Sequence, residues 1–212
     1  MVTIEEVVES FYNNQTMDYK DWLAMITANA QNDNNLAVLE FIKFWKPKIG
    51  IYCGSFAPWH NGHMNILTKA EQIFDKVILC VGINPDKRVD FPTDGIPQTL
   101  HAMRQVLIYR TTLPAFIESL GYDVTLIRGL RNTTDLQYEL TQLRYMQDFK
   151  TDIRIVNICC DRQFEHISSS AIRNLISAFG TFIHTNNMEE SNAFREKIAS
   201  KYLPFPLNDY SL

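Results

Sequence analysis

From Lys48 onward, short apolar runs rich in Val and Ile alternate with stretches of helical periodicity, and that alternation leaves few folds open. The runs fall at 48–53, 76–83, 105–109, 122–128 and 153–160. Helical patterns occupy 63–74 (Ile66, Leu67, Ala70, Ile73, Phe74), 111–120, 134–149 and 168–179. Strands separated by helices predict an α/β fold, a parallel sheet with helices on its faces. In such sheets ligands bind beyond the carboxyl ends of the strands, near the point where strand order switches.

The first run leads straight into chemistry. In KIGIYCGSFAPWHNGH, residues 48–63, a strand ends at Tyr52 and Cys53, meets Gly54, turns through Pro58 and opens a helix at His60-Asn61-Gly62-His63. A helix N-terminus presents unpaired N–H groups and the positive end of the helix dipole, so it attracts anions. His60 and His63, three apart, share a helical face and can point at the same anion. A bare HxxH is also what two hydrogen-bonded histidines in a buried turn look like; the glycines and the strand-to-helix context favour a nucleotide phosphate site.

Three later stretches carry similar signals. Segment 84–98, NPDKRVDFPTDGIPQ, reads as a loop that puts Lys87 and Arg88 near a strand end, where a solvated surface pair is the plainer alternative. Ile127-Arg128-Gly129-Leu130-Arg131 runs a strand into a glycine turn with two arginines, whose planar forks suit phosphate oxygens. The next helix carries Asp135 and Glu139 on one face, in the positions of acids that balance a helix dipole, with Tyr138 and Gln142 on a neighbouring face. In His166-Ile167-Ser168-Ser169-Ser170-Ala171-Ile172-Arg173, one serine caps a helix and the others add donors at a second helix start. Two helix N-termini facing one another are what a polyphosphate cradle needs.

Composition narrows the rest. With 212 residues and 46% hydrophobic content the chain can bury a sizeable core, and its net charge of −4 leaves no electrostatic footprint for nonspecific nucleic-acid binding. Cys53, Cys80, Cys159 and Cys160 lie in apolar runs without metal-ligand spacing, so they read as buried thiols in a reducing, cytoplasmic setting, and no metal ligand set is expected. There is no apolar leader and no run of eighteen apolar residues, so neither secretion nor a membrane span is expected.

Residues 1–46 read as a helical extension. Ile4, Val7, Val8 and Phe11 recur at helical spacing, as do Leu23 and Ile26, and then Leu36, Leu39, Ile42 and Phe44. Breaks are expected at Asn13-Asn14 and across Gln31-Asn32-Asp33-Asn34-Asn35. The extension is expected to cap the main domain or form a subunit contact, with a partner-binding module as the alternative. The main domain spans 47–186. Residues 187–212 supply a last helix over 187–202, with Phe194, Ile198 and Tyr202 facing the core, and an extended tail that docks on a neighbour or frays.

GSFAPWHNGH, FDKVILCVGINPDKR, LIRGLRNTTDLQYEL and ISSSAIR, taken in order within residues 48–180, resemble the bacterial phosphopantetheine adenylyltransferases of the HxGH nucleotidyltransferase superfamily. The resemblance implies a Rossmann-like nucleotidyltransferase fold. It implies transfer of AMP from ATP to 4′-phosphopantetheine in coenzyme A biosynthesis, giving dephospho-coenzyme A and pyrophosphate, with Mg²⁺ bound mainly through the ATP phosphates. On the family pattern Gly54, Ser55, Phe56, His60, Gly62 and His63 hold the nucleotide, together with Gly129, Arg131, Glu139 and the stretch Ile167, Ser168, Ser169 and Ser170. His63, Lys87, Arg128 and Ser169 are the catalytic set. Ser55, Lys87 and Arg128 bind the acceptor phosphate, and Leu113, Pro114 and Tyr138 flank its thiol-bearing arm. The family implies a homo-oligomer, with neither nucleic acid nor membrane as a partner.

The chain departs from the family at several points. Ala57 stands where Asp is usual and His60 where Thr is usual, the stretch between Phe91 and Val106 is short, and residues 1–46 and the tail have no counterpart. Two rival readings stay open: nucleotidyl transfer to another phosphorylated acceptor such as nicotinamide mononucleotide, and a nucleotide-binding regulator without turnover.

Overall fold

The computed structural model describes residues 2–83, 95–182 and 188–210. Five parallel strands, β1 (Ile49–Gly54), β2 (Lys76–Gly82), β3 (Val106–Tyr109), β4 (Thr125–Leu130) and β5 (Ile155–Cys159), lie in the order β3-β2-β1-β4-β5. The inner strands carry continuous apolar stretches rather than an alternation, because both faces are covered; Ile51, Ile78, Leu79, Leu126 and Ile127 are fully buried. Register runs from Ile49 opposite Lys76 to Gly54 opposite Val81, and Ile51 opposes Leu126. The chain walks outward from β1 to β3, then returns to the other side of β1 for β4. The switch point therefore lies between the carboxyl ends of β1 and β4, where both glycine turns emerge.

One face is covered by the N-terminal helices α1 (Ile4–Asn13), α2 (Tyr19–Asn32) and α3 (Leu36–Phe44), together with α6 (Leu113–Leu120) and α7 (Thr133–Phe149). Thr3 and Glu6 form a capping box at α1, and Asp18 and Asn35 cap α2 and α3. Val7, Phe11, Trp22, Val38 and Ile42 share one apolar cluster with Ile51, Ile78 and Leu126 of the sheet. Within it the Phe11 ring meets Trp22 and Trp45 edge-on, each at 5.1 Å. The helices are also pinned by polar contacts. Lys76, buried at the start of β2, donates to the carbonyls of Asn14 (3.3 Å), Gln15 (2.8 Å) and Met17 (2.7 Å).

The opposite face carries α4 (Asn61–Ala70), α5 (Gln98–Met103), α8 (Ser169–Phe182) and α9 (Met188–Tyr202). Ile198, Ala199 and Leu203 pack here with Ile66, Leu67 and Ile172, while Phe194 and Tyr202 are only partly buried. The tail does not extend away. It turns at Leu207–Asp209, buries Tyr210, and places Asp209 to accept from the Thr99 main chain at 3.2 Å.

Several boundaries differ from expectation for identifiable reasons. In α3 the buried side is Val38 and Ile42, one turn apart, whereas Leu36 and Phe44 are 76% and 67% exposed; each lies two residues, about 200° of helical rotation, from the nearer buried position. Helix α2 runs on through Asn32, so the break begins at Asp33. Helix α4 starts two residues early, at its histidine cap, and stops at Ala70, leaving Ile73 half-exposed beyond it. Strand β4 begins at Thr125 because Gly121 adopts a left-handed conformation (φ 68°) and Tyr122–Val124 serve as the approach. Helix α5 occupies part of the short stretch left without an element. Cys53 and Cys80 are buried thiols, but Cys159 is exposed and Cys160 half-buried, because β5 is an edge strand. Residues 84–94 of the expected loop, Lys87 and Arg88 included, lie outside the described residues. Among the described residues no helix is long and apolar enough to cross a membrane.

Candidate active site

The turn after β1 is held open by local geometry. Phe56 takes a left-handed conformation (φ 46°) and the Ala57–Pro58 bond is cis. Gly95 packs beneath this turn, accepting from the Trp59 main chain at 2.9 Å; a Cβ there would stand 2.1 Å from the Phe56 carbonyl oxygen, so only glycine fits.

His60 is the N-cap of α4. Its Nδ1 accepts from the main-chain N–H of Gly62 (3.1 Å) and His63 (3.3 Å), and its own N–H donates to Nδ1 of His63 (3.3 Å). This reciprocal box, made by two histidines, stacks their rings 3.7 Å apart. With both Nδ1 atoms accepting, the mobile proton of each neutral ring sits on Nε2. Phe56 and Trp59 close round His63 at 5.0 and 5.3 Å. Burial, His60 and Arg131 hold His63 well below the ordinary imidazole value. Burial and then Arg131 bring His60 down to about 4. At neutral pH the loop therefore offers two uncharged N–H donors.

The turn after β4 is built from charge. Arg128 makes a two-point pair with Glu139, Nε to Oε2 at 2.6 Å and Nη2 to Oε1 at 2.5 Å, and its Nη1 donates to the Cys53 carbonyl at 3.1 Å. Burial works against the charge on Arg128; the Glu139 contacts outweigh it and hold the guanidinium above its ordinary value. Arg131 is clasped in the same way by Asp135, Nε to Oδ2 at 2.9 Å and Nη2 to Oδ1 at 3.0 Å, and Asp135 also accepts the Arg131 main-chain N–H at 2.9 Å. Those contacts lower the Asp135 carboxyl and raise Arg131.

The serine stretch closes the third side. Ser168 accepts the Ala171 main-chain N–H at 3.1 Å, as an N-cap does, while the Ser169 hydroxyl donates to the Pro58 carbonyl at 2.9 Å. Arg173 donates to the Ala57 carbonyl and to Ser170, and Arg131 Nη1 reaches the Ile167 carbonyl at 3.4 Å. The start of α8 is thus tied to both glycine turns.

These three segments enclose a cleft of about 340 Å³. Gly54, Ser55, Phe56, His60, Gly62 and His63 line it from the first turn, Gly129 and Arg131 from the second, and Ser168, Ser169 and Ser170 from the third. Ile167 is buried behind it and contributes its carbonyl rather than its side chain. Arg128, Tyr138 and Glu139 line both this cleft and a second cavity of about 360 Å³, which holds Leu113 and Pro114 with Tyr109, Tyr145 and Phe149. Lys87 lies outside the described residues. The pattern of residues gave Asp135 only a helix-dipole role and gave Tyr52, Ile66 and Cys160 none, though all four line the cleft. Asp135 had a usable signal, an acid one helical turn past an arginine; the other three are apolar or strand-end residues without one.

This fold and cleft define a nucleotidyltransferase of the cytidylyltransferase-like class, and the cytidylyltransferase-like family model matches residues 51–175. Within it, a phosphopantetheine adenylyltransferase of Chloroflexus aurantiacus is 32% identical over 73% of this chain and 99% of its own length. One from Chromobacterium violaceum is 28% identical over 76% and 93%. The chain belongs to the phosphopantetheine adenylyltransferase family. A solved structure titled as a putative nicotinate-nucleotide adenylyltransferase from Vibrio parahaemolyticus covers 71% of this chain and 99% of its own at 18% identity, with a TM-score of 0.40, a likeness too loose to weigh.

Proposed function

We infer that this chain transfers AMP from ATP to the phosphate of 4′-phosphopantetheine, releasing pyrophosphate and dephospho-coenzyme A. The observation that carries this reading is the pair of joined cavities. A cleft walled by two helix N-termini suits the triphosphate, and a neighbouring groove with an apolar wall leads away from Arg128 and suits the long arm of the acceptor.

An acceptor phosphate oxygen attacks the α-phosphorus of ATP. The bond from that phosphorus to the β-phosphate oxygen breaks, and the electron pair leaves with pyrophosphate. The acceptor is already ionised near neutral pH, so no strong base is needed and positioning supplies most of the catalysis. Arg128, with Lys87 and Ser55, orients the acceptor phosphate. Gly54, Phe56, Gly129, Arg131 and the serines of α8 hold the nucleotide. His63 donates from Nε2 to the phosphate oxygens on which charge develops, and His60 holds His63 in the tautomer that can do so. A Mg²⁺ ligated chiefly by the ATP phosphates and water needs no set of protein carboxylates of its own. When bound, that ion neutralises phosphate charge. The family precedent supports a homo-oligomer, and residues 47–186 are the unit that carries the reaction.

The test is pyrophosphate release from ATP and Mg²⁺ with either 4′-phosphopantetheine or nicotinamide mononucleotide. Release with phosphopantetheine alone is expected. Turnover with nicotinamide mononucleotide alone would replace the acceptor assignment, and tight ATP binding without turnover on either would make the protein a regulator.

A further inference from the structure

Asp135 and Glu139 stand one turn apart on α7, and each grips a different arginine from the end of β4. The two clasps are built alike. A carboxylate takes Nε and Nη2, a main-chain carbonyl takes Nη1, and of the five N–H groups of a guanidinium two are left for a ligand. Their surroundings differ. The Arg128–Glu139 pair sits where the two cavities join and is anchored to β1 through Cys53, whereas Arg131–Asp135 lines only the nucleotide cleft and is anchored beside the serine stretch through Ile167.

We propose that the two α7 carboxylates are positioning residues with separate duties: Glu139 sets Arg128 for the acceptor phosphate, and Asp135 sets Arg131 for the nucleotide. The proposal rests on the assignment of Arg128 to the acceptor and Arg131 to ATP. It departs from the family pattern, which puts Glu139 against the nucleotide and is silent on Asp135. An arginine side chain has many rotamers, and one clasped at three points presents its free N–H groups in a single direction without an ordering cost when substrate arrives. The acids also bring the charge of the two arginine pairs to neutrality, so a phosphate finds aimed donors rather than a loose pool of cations.

The test is a crossed comparison of Glu139→Gln and Asp135→Asn in the full-length protein, with ATP affinity read by equilibrium binding and acceptor use by steady-state kinetics at saturating ATP. Glu139→Gln is expected to lower kcat/KM for phosphopantetheine about tenfold while ATP affinity stays within about twofold; Asp135→Asn is expected to do the reverse. Glu139→Asp and Asp135→Glu, which keep the charge, should retain more of the affected constant than the amides do. Melting curves identify any variant that is merely unfolded, and for such a position the charge-keeping variant alone decides. Equal losses on both substrates, or a Glu139 effect that falls on ATP, would overturn the proposal. Arg128→Ala and Arg131→Ala separate its failure from that of the underlying assignment. If the arginine variants do not divide between acceptor and ATP, the assignment falls and the proposal with it. If they divide and the acid variants do not follow them, only the proposal falls.

Discussion

The turn after β1 and the turn after β4 face the same cleft with opposite chemistry. The first is assembled from uncharged groups: two imidazoles locked as Nε2–H donors, glycine and a ring of aromatic side chains. The second is assembled from full charges, each cancelled by a carboxylate before any substrate arrives. Neutral donors in a dry pocket add most where charge appears during the reaction, because they lose little by being left without an anion in the ground state. Paired arginines add most where charge is permanent, because they offer direction rather than net attraction.

If this contrast is right, the largest kinetic effect lies at the neutral turn. His63→Ala is expected to cost at least about a hundredfold in kcat, roughly 3 kcal/mol, with a smaller change in ATP affinity, checked by pairing turnover with binding measurements. A comparable energy is expected in stability. His60 is neutral to about pH 4 in the fold but titrates near 6.5 when unfolded, so between these values the unfolded chain binds more protons. The contribution is complete above about pH 6.5 and is lost towards pH 4, on the order of 3 kcal/mol from this residue, and His63 adds in the same direction. Urea unfolding at pH 7 and pH 4.5 measures it, and His60→Asn, which keeps a capping side chain, should shrink the difference to the part that His63 contributes. At the charged turn, Arg128→Ala should reduce acceptor kcat/KM about thirtyfold, near 2 kcal/mol, while ATP binding falls far less. The smallest effect is at the third wall: Ser169→Ala removes the bond to Pro58 and should weaken ATP use only about fivefold, roughly 1 kcal/mol. A large Ser169 effect beside a small His63 effect would reverse the roles given to the two turns.

The sheet was legible because its central strands are buried on both sides and read as short apolar runs rich in Ile and Val rather than as an alternation. Helix α5 was not, since six residues that bury only Leu100 leave no periodic trace. Within the site, the types and order of the residues pointed to phosphate chemistry, but not to their pairing. Arg128 and Glu139 are eleven residues apart across a strand, a turn and a helix, and only the three-dimensional turn brings them to 2.5 Å. The histidine cap was hidden for another reason. Ser, Thr, Asp and Asn are the usual N-caps, so a box formed by two imidazoles carries no familiar spelling.

The buried Lys76 has a consequence for how the chain must be made. Helices α1 to α3 leave the ribosome before the sheet they cover: β1 follows closely, but β2, with the lysine whose ammonium group gathers three of their loop carbonyls, emerges only some thirty residues after α3 ends, and β4 later still. Until then the Phe11, Trp22 and Trp45 rings have no sheet to lie on. The newborn helices must wait as a sticky, half-made layer, so synthesis that stalls before β2 yields a fragment prone to aggregate.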